Sequence, residues 1–226
     1  MSRTFAPRMD VLPVVQQRLW PALSHAPKLG FVLYGGTAIA LRLGHRQSID
    51  FDFFSEKPLD RDVLKTAFSF LTQSTTLQDH DNTWVVLVPE CDAGKNFVKV
   101  SFFGSIDFGR VGKPNFTEDG VLLVASFDDL MATKVKVILQ RAEAKDYRDI
   151  AAMLNAGVSV SKGLASARLL FGANFQPSES LKALVYFNDG DLNTLTINEK
   201  ETLVEAVKMI RDLPEATLLS RSLGLA

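Results

Sequence analysis

Residues 35–54 read GGTAIALRLGHRQSIDFDFF, and the two halves of this stretch follow different periods. After the Gly35-Gly36 step, Thr37 opens an Ala/Leu-rich run to Leu43 that predicts a compact helix closed by Gly44. From Ser48 to Phe54, polar and apolar residues alternate strictly, the pattern of a half-buried strand. Side chains two apart on a strand share a face. Ser48, Asp50 and Asp52 therefore share one face, and Ile49, Phe51 and Phe53 the other, which is expected to be buried. Just upstream, Gly30 to Tyr34 is a short apolar run that reads as a buried strand. The unit is strand, Gly-Gly, helix, strand.

Two carboxylates about 7 Å apart along a strand can converge their oxygens on a hard cation such as Mg2+ or Mn2+. In sites that hold two such ions, the metals stand roughly 3.5–4 Å apart. Gly35 and Gly36 lack a Cβ, so their backbone can approach phosphate oxygens and offer N–H donors. The helix starting at Thr37 points its positive end the same way. Asp-x-Asp alone is a common solvent-facing pattern, and Gly-Gly alone is a common turn. Found together at this spacing, they point to a metal-assisted phosphate site.

Working outward, Met9 to Leu23 has helical spacing interrupted near Pro13 and stopped by Pro21. Asp60 is placed to cap a helix running to about Leu71. Strand-like runs follow at Thr83–Val88, Phe97–Phe103 and Val121–Val124, with a turn region from Pro89 to Asn96 between the first two. After Ser126 the strands give way to helical periods. Ser126-Phe-Asp-Asp129 resembles a capping box with Asp in place of Glu, opening a helix to about Gln140. Tyr147–Leu154, Leu164–Phe171, Leu181–Phe187 and Glu199–Ile210 read as further helices. The expected organisation is an α/β domain, residues 1–125, with a mixed sheet and helices, followed by an all-helical domain, residues 126–226.

Length and composition are those of an ordinary globular protein: 226 residues, 46% hydrophobic and 23% charged. The net charge of −1 provides no global basic field for nucleic acid or membranes. No apolar stretch approaches the ~20 residues that span a bilayer, and none forms a signal peptide, so a cytoplasmic setting without membrane partners is expected. Cys91 is the single cysteine. With Glu90 and Asp92 beside it, thiolate formation is disfavoured, and it is not read as a nucleophile. His25, His45 and His80 are too scattered for a metal site.

A second constellation spans residues 134–149, KVKVILQRAEAKDYRD. Lys134 and Arg141, seven apart, lie on nearly the same helical face and could bracket a triphosphate or an RNA backbone. Asp146 and Asp149, three apart, could add a carboxylate as a general base or metal partner. The bland alternative is a solvated helix face laced with weak ion pairs.

The two blocks together resemble the AbiEii/AbiGii family of abortive-infection toxins, nucleotidyltransferases of the polymerase-beta-like superfamily. The matching positions are Gly35, Gly36, Arg46, Ser48, Asp50 and Asp52, then Lys134, Arg141, Asp146 and Asp149. The resemblance implies a nucleotidyltransferase-like mixed sheet with helices, followed by a helical region. It implies that Asp50 and Asp52 hold a catalytic Mg2+ or Mn2+. Gly35, Gly36, Thr37, Arg46, Ser48, Lys134 and Arg141 would bind the nucleotide, and Lys134, Asp146 and Asp149 would join Asp50 and Asp52 in catalysis. The activity implied is transfer of NMP from an NTP to a macromolecular acceptor, RNA and notably tRNA, by the toxin of a bacterial toxin–antitoxin system with a cognate antitoxin. Many members of the superfamily carry a third carboxylate on the strand facing the Asp-x-Asp pair, where VKVSFFG here has Ser101. Either Asp146 or Asp149 then supplies the third charge, or the nucleotide mainly holds the second metal, or the chain is a catalytically weakened nucleotide- or partner-binding module. A small-molecule nucleotidyltransferase of the same superfamily is a separate alternative.

Overall fold

The computed structural model describes residues 4–90 and 96–225. Cys91 and most of the expected turn at Pro89–Asn96 lie outside the described residues. The chain divides into two compact units. The first contains the residues up to Gly109, Lys113–Ala125 and those from Arg221 on; the second contains Arg110–Gly112 and Ser126–Ser220.

The first unit carries β1 (Thr4–Phe5), α1 (Val14–Leu19), β2 (Val32–Tyr34), α2 (Gly35–Leu43), β3 (Asp50–Phe54), α3 (Arg61–Ala67), β4 (Thr75–His80), β5 (Thr83–Pro89), β6 (Phe97–Phe103), β7 (Asn115–Thr117) and β8 (Leu123–Val124). The strands form one eight-stranded mixed sheet in the order β1-β7-β8-β2-β3-β6-β5-β4. β3 therefore lies inside the sheet, antiparallel to β2 and parallel to β6.

The alternation in β3 has the expected consequence. Phe51 and Phe53 are fully buried, while Asp50, Asp52 and Phe54 alternate with them on the half-open face. Register carries the same division into β6, where Phe51 faces Val100 and Phe53 faces Phe102, all buried. Phe102 stacks on Phe53 at a centroid separation of 5.6 Å and packs against Phe31, Phe68 and Trp84. This aromatic layer anchors the apolar face of the central strands.

Some boundaries differ from expectation. The strand begins at Asp50, so Ser48 and Ile49 precede it, and Ile49 is 64% exposed instead of buried. α2 begins at Gly35, so Gly35 and Gly36 form its first turn and do not precede it. Gly44, at φ +67°, closes α2 as expected. Pro21 does not stop the N-terminal helical run, which continues as a 3-10 helix over Trp20–His25 with the proline in its first turn. α3 ends at Ala67, and a 3-10 segment at Ser69–Gln73 takes up the rest of the run to Leu71. β1, β4 and β7 were not signalled by sequence pattern. All six residues of β4 are exposed, so it has no apolar face to alternate against; the other two have only two or three residues each.

The second unit is helical: α4 (Phe127–Val137), α5 (Ala144–Asn155), α6 (Val160–Phe171), α7 (Pro177–Leu184) and α8 (Ile197–Lys208). Ser126 caps α4 by accepting from the Asp129 N–H at 3.1 Å. The Asp129 carboxylate does not complete a capping box. It accepts instead from the Ser126 hydroxyl and from the backbone N–H groups of Val111 and Gly112, tying residues 110–112 to this unit. A full capping box stands at α8, between Thr196 and Glu199.

Replacing Phe102 with Ala removes the ring at the centre of the aromatic layer. Urea unfolding is expected to show a loss of about 3–5 kcal/mol, the usual cost of truncating a buried phenylalanine.

Candidate nucleotide and metal site

The candidate site is built where β2 passes into α2 beside β3. Tyr34 ends β2 opposite Asp52, and the chain turns at once into α2. Gly35 makes that turn at φ +75°, a left-handed conformation that favours glycine. The space around it imposes the same requirement: a Cβ at Gly35 would stand 2.6 Å from Asp52 Oδ2. The Asp52 carboxylate thus lies directly against the head of α2. The N-cap residue, Tyr34, makes no side-chain capping bond, and no acidic residue occupies the first turn. The positive end of the helix therefore lies beside the Asp52 carboxylate, the end of a helix that favours negative charge.

A buried hydroxyl pair locks α2 to the start of β3. Thr37 donates its hydroxyl to the carbonyl of Asp50. Ser48 then serves as donor to Thr37 Oγ1, at 2.7 Å. Both residues are buried. The structure thus places Thr37 and Ser48 as a clamp that positions the first turn of α2 and the backbone of Asp50. Arg46 donates to the carbonyl of Gln47 at 2.8 Å.

Asp50 and Asp52 project from the half-open face of β3, opposite Lys99 and Ser101 of β6 respectively. Lys99 Nζ lies 3.0 Å from Asp50 Oδ2. Ser101, only 2% exposed, occupies the β6 position beside Asp52 where the wider superfamily resemblance led us to look for a third acid. Among the described residues, no group of three His, Cys, Asp or Glu side chains gathers as a metal site. Two carboxylates supply hard oxygen donors, and Mg2+ is usually held by one or two carboxylates together with substrate phosphates and water. The donor set fits an ion whose coordination the nucleotide completes. It does not fit an all-protein cage.

The second constellation lies in the helical unit, with Lys134, Asp146 and Asp149 buried. Lys134 Nζ sits 2.6 Å from both Asp146 Oδ1 and Asp149 Oδ2, and both aspartates have no exposed surface. Arg141 reaches Asp146 Oδ2 at 2.8 Å and is also near Glu143. Burial pushes the Asp146 carboxyl up, but Lys134 and Arg141 together more than offset it and hold the group below the ordinary carboxylate range. The spacing predicts Lys134 and Arg141 on one helical face, but α4 ends at Val137 and Arg141 lies beyond it. The residues meet through Asp146 instead, with Lys134, Asp146 and Asp149 buried and Arg141 exposed. Two functional candidates escaped sequence reasoning. Lys99 became visible only through the parallel register of β3 and β6. Arg42 lies on α2 and donates to the carbonyls of Val124 and Ala125, bracing that helix against β8.

Comparison with known proteins gives a consistent result. The family model described as nucleotidyl transferase AbiEii toxin, type IV TA system, matches residues 19–217. An uncharacterised protein of Aquifex aeolicus (strain VF5) is 30% identical over 161 residues, covering 70% of this chain and 74% of that protein. Two solved structures share the fold. A candidate nucleotidyltransferase from H. pylori has a TM-score of 0.54 and 20% identity, covering 86% of this chain and 89% of its own. MenT4, a nucleotidyltransferase toxin from Mycobacterium tuberculosis H37Rv, has a TM-score of 0.56 and 15% identity, covering 88% and 83%.

Replacing Lys134 with Met removes the ammonium that both buried carboxylates share. Denaturant unfolding at neutral pH is expected to show a loss of about 3–5 kcal/mol. Because the folded-state pKa of Asp146 is depressed, its contribution to stability is present above the unfolded value of about 3.9 and is lost as pH falls through the folded value. Stability measured from pH 7 down to pH 2 should therefore drop below about pH 4. In Asp146→Asn the drop should be shallower, because its contribution is already missing at neutral pH.

Proposed function

The chain belongs to the AbiEii nucleotidyltransferase toxin family of type IV toxin–antitoxin systems, and from that premise we propose that it transfers NMP from an NTP to an RNA acceptor, tRNA above all, in a reaction dependent on Mg2+ or Mn2+. The observation that carries this reading is the position of Asp52. It lies on the half-open face of β3 with its carboxylate against the head of α2, so candidate metal ligand and candidate phosphate cradle adjoin within one unit.

In this reading Asp50 and Asp52 hold the divalent ion, and the backbone of Gly35 and Gly36 receives phosphate oxygens. Thr37 and Ser48 keep the first turn of α2 in register with β3. A bound divalent ion supplies Lewis-acid stabilisation of the charge on the phosphates. The acceptor hydroxyl gives up its proton to solvent or to the leaving pyrophosphate as its oxygen bonds to the α-phosphorus, the bond from the α-phosphorus to the α,β-bridging oxygen breaks, and pyrophosphate leaves. The assignment of Lys134 and Arg141 to the nucleotide, and of Lys134, Asp146 and Asp149 to catalysis, rests on family resemblance and remains part of the proposal. So do a cognate antitoxin and a cytoplasmic setting; no helix among the described residues is long and apolar enough to cross a membrane.

The RNA acceptor requires basic side chains on the surface. Several candidates are already paired: Lys145 with Glu143, Arg148 with Glu199 and Lys162 with Asp128. RNA phosphates would have to replace those partners, so binding should be strongly salt-dependent.

A second reading, a nucleotide-binding module without transfer, is favoured by Ser101 standing where a third carboxylate is absent. One assay separates the two. Incubation with labelled NTPs, Mg2+ and total RNA is expected to label RNA, and Asp50→Asn should reduce labelling to background. Unchanged labelling in that variant would refute the metal-ligand assignment. Saturable NTP binding with no labelled RNA would favour the second reading.

A further inference from the structure

We propose that Lys99 is a built-in counter-charge of the carboxylate pair, occupying the place beside Asp50 that a second divalent ion would otherwise take, so that the site holds one ion. The inference rests on the reading of Asp50 and Asp52 as metal ligands and deepens it.

Three observations lead there. First, Lys99 is held opposite Asp50 by backbone register, in a run of paired positions from Asp50–Lys99 to Phe54–Phe103. Exposed ion pairs are generally weak because two long side chains must be ordered to form them. Here adjacent strands inside the sheet fix both backbones, and the side chains are only 38% and 27% exposed, with Nζ 3.0 Å from Oδ2. Second, the β6 face beside the pair reads cation at Lys99 and neutral hydroxyl at Ser101. A second divalent ion on that side would meet an ammonium where it needs an acid. Third, Asp52 has a different positive neighbour, the head of α2 against its Oδ2. Each carboxylate therefore has one fixed positive partner, on opposite sides of β3. Lys99 engages Oδ2 of Asp50 and leaves Oδ1 for the ion. It acts through Asp50, as a positioning residue.

Mn2+ binding to the purified chain, followed by the electron paramagnetic resonance of free Mn2+, tests this with and without an NTP analogue whose α–β bridge cannot be cleaved. With the analogue present, one Mn2+ per chain is expected; two would overturn the proposal. Without nucleotide, Lys99→Met should bind Mn2+ several-fold more tightly than the unaltered chain, while Lys99→Arg, which keeps the charge, should not. A merely structural lysine would give no such tightening, and a Met variant that binds no more tightly would overturn the proposal. Asp50→Asn separates this inference from the reading beneath it. If that variant binds Mn2+ as well as the unaltered chain, the metal site itself is misassigned. If it loses the ion while Lys99→Met matches the unaltered chain, only the role of Lys99 falls.

Discussion

The site depends on the pleat of a single five-residue strand. β3 is flanked on both sides by hydrogen-bonded neighbours, and its two internal phenylalanines are buried in the aromatic layer built around Phe102. Because side chains alternate across a strand, burying Phe51 and Phe53 forces Asp50 and Asp52 to the opposite face. A slip of one residue would exchange the two sets, placing two carboxylates in the core and two rings on the half-open face. Burial of a phenylalanine side chain is worth about 1.5–3 kcal/mol, and unpaired carboxylates in an apolar core are costly. The register that builds the core therefore also presents the acids.

The same register decides what surrounds those acids. Tyr34 pairs with Asp52, so the turn into α2 occurs beside that carboxylate, and Gly35 is the residue type that meets both its left-handed backbone and the close approach of Oδ2. On the other flank, pairing of Asp50 with Lys99 and of Asp52 with Ser101 sets a cation and a hydroxyl beside the pair. The Thr37–Ser48 hydroxyl clamp ties helix to strand from within. The turn into α2 and the placing of the two carboxylates are thus consequences of one set of strand pairings.

Much of this is legible along the chain because it is local. Period-two alternation in 48–54, the Gly-Gly step and Gly44 act within a few residues, and the helix and strand they predict are present with ends shifted by two residues. The helices after Ser126 are legible from their period, with Ser126 the cap read in advance; α5, α6 and α7 start earlier than expected, at Ala144, Val160 and Pro177. What stayed hidden is non-local. Lys99 lies forty-nine residues after Asp50, and only the parallel pairing of β3 with β6 makes them neighbours. The hydroxyl contact of Ser48 with Thr37, eleven residues back on α2, is likewise invisible to the strand pattern. β4 has no apolar face and is recruited by pairing with β5 alone. For Lys134, Asp146 and Asp149, spacing did not predict burial, which depends on how the helices of that unit pack.

The chain's charge is almost balanced overall, so the proposed recognition of a nucleotide rests on local placement of charge, and the acidic pair of β3 lies between the head of α2 and Lys99. The most direct measurement is a crystal structure of the chain with Mn2+ and an uncleavable NTP analogue, with the ion located by its anomalous scattering. The expected result is an ion about 2.0–2.3 Å from carboxylate oxygens of both Asp50 and Asp52, allowing slightly longer bonds than the ~2.1 Å of Mg2+, and triphosphate oxygens at the backbone of Gly35 and Gly36. An ion bound away from both aspartates, or a triphosphate seated away from the head of α2, would contradict it.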